Sequence, residues 1–300
     1  MQVPETPSQL RTLLNSRGLS PNKRYGQNFL VEPKILDVIV RLSELERTDF
    51  VLEIGTGAGT LTRRLANDAG FVVTVEIDSG LFSLVRDLLG VEENIRLVHG
   101  DIMETKSSLN TEVCEKVDVA LVAPDLSHFK VIANLPYNIS TPFLSSLLIR
   151  YGAPELMVLM VQKELAVGLA AKPGTKDYSP LSILVQLLAT VSIDRTLSSE
   201  VFWPKPTVES AIVCIKTKNV DPPKVLRAYP LVKFLFSERR KTIRSILRKL
   251  PAVMGGPIKP EVLDATLEKL GLSGQERAEA LEPEIFVTLD RALTEAVGEV

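Results

Sequence analysis

Residues 53–59 read Glu-Ile-Gly-Thr-Gly-Ala-Gly and lie between a strand pattern over residues 50–54 and a helix pattern over residues 60–69. Glycines at such a turn let a ligand approach the backbone closely and leave the amides at the helix N-terminus free for it. The spacing is Gly-x-Gly-x-Gly, which differs from the Gly-x-Gly-x-x-Gly of dinucleotide sites. The stretch therefore favours a ligand-binding strand-to-helix turn over the alternative, a purely structural turn.

Short apolar runs continue beyond this turn and alternate with helical stretches. These runs occupy residues 50–54, 71–77, 95–98, 130–133 and 156–161. Strands that alternate with helices form βαβ units, so we predict an α/β fold with a mainly parallel sheet. Two later runs predict an antiparallel pair at one edge, because Pro204 and Pro206 between them leave little room for a crossover helix. These two runs are residues 187–197 and 209–217.

Helical patterns flank the strand region on both sides. Residues 7–17 and 33–45 repeat apolar side chains at helical spacing, which predicts a helical segment within residues 1–48. Beyond Asp221-Pro222-Pro223, strand patterns give way to helix patterns at residues 231–236, 237–250, 261–270 and 276–297. Since a single core stops growing near the size of this 300-residue chain, two domains are expected. We place them at residues 1–218 and, for a smaller all-α domain, 219–300.

The composition excludes several classes of protein. With 45% hydrophobic and 24% charged residues, the chain is typical of soluble globular proteins. Its apolar runs are far shorter than the ~20 residues of a membrane span, and residues 1–16 lack a signal core, so we expect a cytoplasmic protein. Two cysteines and two histidines are too dispersed for metal-ligand spacing, so no metal site is expected. The net charge of −2 gives no overall sign of a nucleic-acid partner.

Two acidic residues follow strands at the same predicted sheet edge as the glycine turn. Glu76 ends the second strand about 20 residues after that turn, where a carboxylate accepts hydrogen bonds from the ribose hydroxyls of a nucleoside cofactor. This position fits NAD and S-adenosylmethionine equally well. Asp101 ends the third strand and could accept from an adenine amine, although a helix N-cap or turn aspartate is the alternative.

The segment Asn134-Leu135-Pro136-Tyr137 ends the fourth predicted strand. Its residues favour S-adenosylmethionine over NAD as the cofactor. An amine conjugated to an aromatic ring is a poor nucleophile, because its lone pair is delocalised. The Asn134 side-chain carbonyl and a backbone carbonyl beside Pro136 could each accept one amine hydrogen and so orient that lone pair toward an electrophilic methyl group. Tyr137 would stack on the base. The segment indicates methyl transfer to an aromatic amine, with a structural turn as the alternative.

Taken together, the motifs resemble those of the ribosomal RNA adenine N6,N6-dimethyltransferases, and most closely those of the bacterial enzymes that act on small-subunit (16S) rRNA. The resemblance spans nearly the whole chain. It rests on residues 26–30, 53–62, 75–78, 100–101, 134–142, 160–164, 202–210 and 239–244. It implies a Rossmann-like S-adenosylmethionine-dependent methyltransferase sheet followed by a helical RNA-recognition domain. The stretch 103–129 is longer than is typical of the family.

The resemblance also implies roles for individual residues. Asn28 and Leu30 would close over S-adenosylmethionine, Gly55 would meet its methionine part, and Asn134 its reactive end. The implied cofactor residues are Gln27, Asn28, Leu30, Gly55, Gly57, Glu76, Ile77, Asp101, Ile102 and Asn134. The implied catalytic residues are Asn134, Leu135, Pro136 and Tyr137. Phe202 resembles a second aromatic residue near the target adenine, whereas Phe29 and Phe143 are equally consistent with core positions.

Positive charge is concentrated in the predicted helical domain. Residues 224–250 hold nine basic residues against one acidic residue. Arg240, Arg244 and Arg248 recur at every fourth position and predict one basic stripe, next to Arg239. Such a stripe is usually a solvated helix face, but beside a methyl-transfer site we predict that it binds RNA phosphates. Lys23, Arg24 and Tyr25 could extend it, with a flexible polar loop as the alternative.

The sequence therefore predicts a monomeric enzyme that dimethylates two adjacent adenosines of 16S rRNA in an immature small subunit. One alternative is a large-subunit rRNA adenine methyltransferase of the macrolide-resistance type, against which Leu135 and the 202–210 segment argue. Another is a non-catalytic rRNA-binding assembly factor. A dinucleotide oxidoreductase is the remaining alternative.

Overall fold

The computed structural model describes residues 3–90, 92–254 and 256–298. The helices in chain order are α1 (Pro7–Ser16), α2 (Pro33–Leu42), α3 (Thr60–Asp68), α4 (Ser79–Leu89), α5 (Thr111–Leu121), α6 (Ser140–Tyr151), α7 (Lys163–Leu169), α8 (Pro180–Leu188), α9 (Pro222–Ser237), α10 (Ile243–Leu247), α11 (Pro260–Lys269) and α12 (Pro283–Gly298). Short 3-10 helices lie at Lys23–Tyr25, Ser199–Val201, Ala252–Met254 and Ala278–Ala280. The strands are β1 (Phe29–Leu30), β2 (Asp49–Ile54), β3 (Phe71–Glu76), β4 (Ile95–His99), β5 (Met103–Thr105), β6 (Ser108–Leu109), β7 (His128–Asn134), β8 (Leu156–Gln162), β9 (Ala189–Leu197), β10 (Phe202–Trp203) and β11 (Ser210–Thr217).

A seven-stranded sheet in the order β4-β3-β2-β7-β8-β11-β9 forms the centre of the fold. The five strands from β4 to β8 in this order are parallel, and β11 pairs with β8 in the antiparallel direction. This confirms the predicted α/β class, with a mostly parallel sheet and an antiparallel edge. The two predicted edge runs form β9 and β11, which are neighbours. β1 pairs with β10, and β5 pairs with β6, outside this sheet.

The sequence of the central strands explains their position. All six residues of β2 are buried, and β8 is buried as far as Val161, because runs of Val, Leu, Ile and Met suit a parallel sheet covered on both faces. In the sheet, β3 and then β4 lie on one side of β2, whereas β7 and then β8 lie on its other side. Ligands of open α/β sheets bind where the strand order reverses, outside the carboxyl ends of the strands. That point lies here between β2 and β7.

The helical part differs from the sequence-based prediction. Residues 237–250 do not form one helix: α9 continues to Ser237, and α10 covers only Ile243–Leu247. Backbone bonds hold the start of α10, because Ile243 N donates to Glu276 O and Arg244 N donates to Gly274 O. Arg240 therefore precedes α10, and Arg248 is its C-cap. The predicted single helical stripe of arginines is wrong.

Two other predicted segments take different forms. The sequence pattern predicts one helix over residues 276–297, but α12 begins at Pro283 after the 3-10 helix Ala278–Ala280. The long stretch 103–129 contains the β5–β6 hairpin and then α5, capped by the Asn110 side chain, which accepts from Val113 N.

The chain divides into two compact units. The first contains the residues up to Ala166 together with Val191–Thr217, and the second contains Val167–Thr190 together with the residues from Lys218 onward. The expected boundary at residues 218/219 lies next to one of these transitions. Residues 167–190 differ from the expectation, because α8 contacts α9 and α12 of the helical unit. Among the described residues, no helix combines the length and apolar character needed to cross a membrane.

Candidate active site

Two cavities open at the carboxyl ends of β2, β3 and β7, at the point where the strand order reverses. The first is lined by the glycine turn, by residues 25–31 and by residues 134–137. The second is lined by Gly100, Asp101 and Ile102 and shares Gly55, Ile77 and Pro136 with the first. Every residue implied for cofactor binding lines one of the two cavities, and so do the four implied catalytic residues. The structure therefore brings together residues that lie more than a hundred positions apart in sequence.

The glycine turn after β2 provides space for a ligand. Gly55 and Gly57 have φ angles of 80° and 59°, a left-handed conformation that favours glycine. A Cβ atom on Gly57 would lie 3.3 Å from the Phe29 ring, and one on Gly55 would lie 3.8 Å from the Asn134 carbonyl oxygen. The amides of this turn are already used: Gly55 N donates to Val75 O and Gly57 N donates to the Glu76 carboxylate. The turn contributes room at the cavity wall, and the amides of Gly55, Thr56, Gly57 and Gly59 are engaged within the protein.

Glu76 ends β3 with its carboxyl group at the wall of the first cavity. It is 3% exposed, and burial raises its pKa to about 7. Its Oε2 accepts from Gly57 N at 2.8 Å and its Oε1 accepts from Asp78 N at 2.9 Å. These two bonds fix the carboxyl group, and each oxygen retains a lone pair for a ligand hydroxyl.

Glu53 is a cavity residue to which the sequence analysis gave no role. Its side chain is buried within β2 and lines the first cavity, and burial raises its pKa to about 7. Oε2 accepts from Thr62 Oγ1 and Thr74 Oγ1, both at 2.6 Å, whereas Oε1 has no hydrogen-bond partner among the described residues. A free buried oxygen of this kind fits a ligand that carries an amino group. The sequence signal for Glu53 is its place as the first residue of the 53–59 stretch, just before the glycines.

The segment before β1 closes one side of the first cavity. The Gln27 side chain accepts from Asn22 N at 2.7 Å and donates to Asp78 Oδ2 at 3.2 Å. Asp78 in turn caps α4 by accepting from Gly80 N and Leu81 N. Gln27 therefore lines the cavity and also holds residues 22–27 against the start of α4. The resemblance implied only the first of these two roles.

Asn134 is held at the end of β7 in one orientation. Its Nδ2 donates to the Asn28 backbone carbonyl at 2.9 Å, so that Oδ1 is the atom left to accept a hydrogen bond from a ligand. Leu135 N donates to Met160 O at 3.1 Å, which fixes the next residue of the segment against β8. The Pro136 carbonyl accepts from Ser140 Oγ at 3.0 Å. The segment is thus anchored to the residue before β1, to β8 and to the first residue of α6.

Tyr137 completes this segment at the cavity wall. Its phenol lies 2.5 Å from Ser210 Oγ, at the start of β11. Burial raises the pKa of Tyr137 above its ordinary value of 10.0, so the phenol is neutral near pH 7. A neutral, anchored aromatic ring is suited to stacking against a base.

Asp101 and Phe202 have environments that refine their predicted roles. Asp101 Oδ1 accepts from Met103 N at 2.9 Å, the turn interaction given as its alternative, and its side chain also lines the second cavity. Phe202 lines neither cavity and is 4% exposed in a core cluster with Leu36 and Ile39. Its strand β10 pairs with β1, which accounts for this inward position. Phe202 is thus buried in the core, as is Phe143, whereas Phe29 is buried and also lines the first cavity.

Two of the four predicted RNA-binding arginines already have acidic partners in the helical unit. Arg239 pairs with Glu279, and Arg244 pairs with Asp264. Arg240 and Arg248 are exposed, and the described residues provide neither with an ion pair. The structure thus leaves Arg240 and Arg248 as the available charges of this group.

The fold and this cavity together define a class. The sheet carries a glycine turn after β2, an acidic residue at the end of β3 and an anchored Asn-Leu-Pro-Tyr segment from the end of β7. This combination is typical of a Rossmann-like methyltransferase that acts on an aromatic amine.

Comparison with known proteins identifies the family. Residues 18–266 match the family described as Ribosomal RNA adenine dimethylase. The chain is similar to Ribosomal RNA small subunit methyltransferase A of Geobacillus thermodenitrificans, with 36% identity over 293 residues and 96% of each chain covered. The protein of the same description from Pelotomaculum thermopropionicum is 34% identical over the full length of both chains. The chain belongs to the ribosomal RNA adenine dimethylase family and is an rRNA adenine methyltransferase, which confirms the resemblance drawn from its motifs.

Solved structures agree with this assignment. A crystal structure of a dimethyladenosine transferase from Plasmodium falciparum matches with a TM-score of 0.70 and 29% identity, covering 89% of this chain and 98% of that one. The 23S rRNA methyltransferase ErmE has the same fold, with a TM-score of 0.60, 24% identity and coverage of 89% of this chain and 100% of that one.

Proposed function

We propose that this enzyme uses S-adenosylmethionine to place two methyl groups on the N6 amine of each of two adjacent adenosines in 16S rRNA. The names of its relatives, which describe small-subunit methyltransferases, support this substrate. The observation that carries the proposal is the orientation of Asn134, whose amide nitrogen is bound to Asn28 O and whose oxygen is left for the substrate amine. The enzyme acts as a monomer on an immature small subunit, in the cytoplasm.

The cavity residues fit S-adenosylmethionine. Glu76 offers acceptors for the ribose hydroxyls, and Asp101 in the adjoining cavity offers one for the adenine amine. The unpartnered Oε1 of Glu53 is an acceptor for the cofactor amino group. Asn28 and Leu30 would cover the bound cofactor. When bound, S-adenosylmethionine supplies an electrophilic methyl group on a sulfonium.

The protein's contribution is to position the target base. Adenine must leave its stack to enter the cavity, which favours an unpaired segment of the RNA. Asn134 Oδ1 and the Leu135 carbonyl each accept one N6 hydrogen, while Tyr137 stacks on the ring. The N6 lone pair then forms the N–C bond as the C–S bond breaks and leaves its electron pair on sulfur. The N6 proton passes to water, so no general base is required.

Replacement of Asn134 tests this proposal directly. Asn134→Ala removes the acceptor that orients the amine, so we expect the rate of dimethylation to fall by about a hundredfold or more. The assay incubates the variant with small subunits that lack the modification and measures the nucleosides by mass spectrometry. Asn94→Ala is the matched control, since Asn94 also donates its amide to a backbone carbonyl, that of Ala66, but lies before β4 and away from the cavity.

The outcomes separate the alternatives. Dimethyladenosine in small subunits that disappears with Asn134→Ala but persists with Asn94→Ala supports the proposal. Methylation of large subunits in place of small ones would establish the macrolide-resistance type of activity. Subunit binding without any methylation would establish an assembly factor, and normal activity of Asn134→Ala would show that the base clamp is misassigned.

A further inference from the structure

The Tyr137 hydroxyl is bound to a residue that the proposed chemistry does not use. Ser210 is the first residue of β11 and is 0% exposed, and its Oγ lies 2.5 Å from Tyr137 Oη. β11 pairs with β8 so that Ser210 lies opposite Gln162, the last residue of β8. Just beyond this pair, Lys163 N donates to Glu209 O at 3.0 Å. The serine is therefore a fixed anchor point at the end of the sheet.

This hydrogen bond connects strands that are not neighbours. Tyr137 follows β7, whereas Ser210 begins β11, and β8 lies between these two strands. The backbone beside Tyr137 is held separately, since Ile139 N donates to Pro136 O at 3.2 Å. With both its backbone and its hydroxyl held, the aromatic ring cannot swing without breaking the bond to Ser210.

We propose that Ser210 is a positioning residue whose hydrogen bond to Tyr137 is required mainly for the second of the two methyl transfers to each adenosine. The inference rests on the proposed function and assigns to this pair the control of product stoichiometry. An unmethylated adenine has two N6 hydrogens, and both Asn134 Oδ1 and the Leu135 carbonyl can accept one. After the first transfer only one N6 hydrogen remains, so one of these two restraints is lost.

The stacking surface then carries a larger share of the orientation. In the second transfer the N6 lone pair again forms an N–C bond as a C–S bond of a second donor molecule breaks, and the last N6 proton passes to water. Alignment for this step depends on one hydrogen bond and on the Tyr137 ring, whose angle is set by Ser210. A ring that is free to tilt slows the second transfer more than the first.

The test compares the products of Ser210→Ala with those of the unchanged enzyme on small subunits that lack the modification. We expect the second-transfer rate to fall about tenfold while the first falls only a few-fold, so that N6-methyladenosine accumulates. The KM for subunits and the Kd for S-adenosylmethionine should stay unchanged, because Ser210 lines neither cavity. Tyr137→Phe keeps the ring and removes the hydroxyl, so its ratio of N6-methyladenosine to dimethyladenosine should equal that of Ser210→Ala.

The double variant and a matched control complete the design. If the two groups act only through their mutual bond, Ser210→Ala/Tyr137→Phe should be no slower than either single variant. Ser43→Ala removes another fully buried serine hydroxyl, which donates a 2.7 Å hydrogen bond to Ile39 O and lines neither cavity. This variant should lower stability without changing the ratio of monomethylated to dimethylated adenosine.

Each outcome is decisive. Accumulation of N6-methyladenosine by both single variants, without further loss in the double variant, supports the role of Ser210. Equal slowing of both transfers, or a product ratio that matches that of Ser43→Ala, would overturn it and leave Ser210 a structural residue. Absence of dimethyladenosine with the unchanged enzyme would instead show that the proposed function itself is wrong.

Discussion

Two buried carboxyl groups, Glu53 and Glu76, give the cavity an unusual titration behaviour. Burial raises the pKa of each to about 7, against an ordinary value of 4.5. At a pH between 4.5 and 7, the two carboxyl groups keep their protons in the folded chain but have lost them in the unfolded chain. The free energy of unfolding therefore falls as pH rises from 4.5 through 7. Above pH 7 both buried carboxyl groups are ionised, and the full destabilisation from burying their charge is present.

Glu53→Gln should remove part of this dependence. Because the amide does not ionise, the stability of the variant relative to the unchanged protein should increase with pH, by on the order of 1–3 kcal/mol between pH 5 and pH 8. Thermal melting curves at both pH values measure this difference. The hydrogen bonds from Thr62 and Thr74 can still be accepted by the amide oxygen. A difference that does not change with pH would show that Glu53 is ionised in the fold throughout this range.

At the scale of elements, periodicity predicted the structures whose side-chain pattern is set locally. The central strands and α1, α2, α3 and α11 begin and end within a few residues of the prediction, because buried strands and amphipathic helices impose their own spacing. The division of residues 237–250 could not be read in this way. It depends on bonds from Ile243 and Arg244 to residues 274–276, which lie about 30 positions further along the chain.

The candidate site shows the same limit. The glycine turn, Glu76 and Asn134 were found because each follows a strand, and parallel strands bring their carboxyl ends together. The place of Phe202 beside the target base stays a prediction, because it lines neither cavity here and nothing in its local sequence indicates that β10 pairs with β1. Ser210 received no role, because its contact with Tyr137 joins residues 73 positions apart.

The arginines around α10 make a further prediction. Arg240→Gln and Arg248→Gln should each weaken binding to small subunits about equally for all RNA sequences and reduce the salt dependence of binding by about one phosphate contact. Arg244→Gln should mainly lower the melting temperature, because it leaves Asp264 without its ion-pair partner. Filter binding at several salt concentrations, together with melting curves, separates these effects. The opposite pattern would place the RNA contact at Arg244.

At the scale of the whole molecule, the chain passes from one unit to the other three times. The sheet unit resumes at Val191 after an excursion through Val167–Thr190, which belongs to the helical unit. Sequence patterns gave a boundary near residue 218 because strand signals end there, and β11 does end at Thr217. They could not show that α8 packs with α9 and α12, since an apolar helix is equally suited to cover a sheet.

This arrangement predicts that the sheet unit is not obtained by cutting the chain at residue 218. Such a truncated protein would keep α8, whose Ile183, Leu184 and Val185 are each 0% exposed in the full chain, but would lose α9 and α12, with which α8 is in contact. We expect it to aggregate or to bind S-adenosylmethionine poorly, as measured by size-exclusion chromatography and calorimetric titration. The matched control also ends at residue 218 but replaces residues 167–190 with a short Gly/Ser linker, which removes the exposed helix. Better solubility of this control supports the assignment of residues 167–190, whereas a monomeric, cofactor-binding protein from the simple truncation would contradict it.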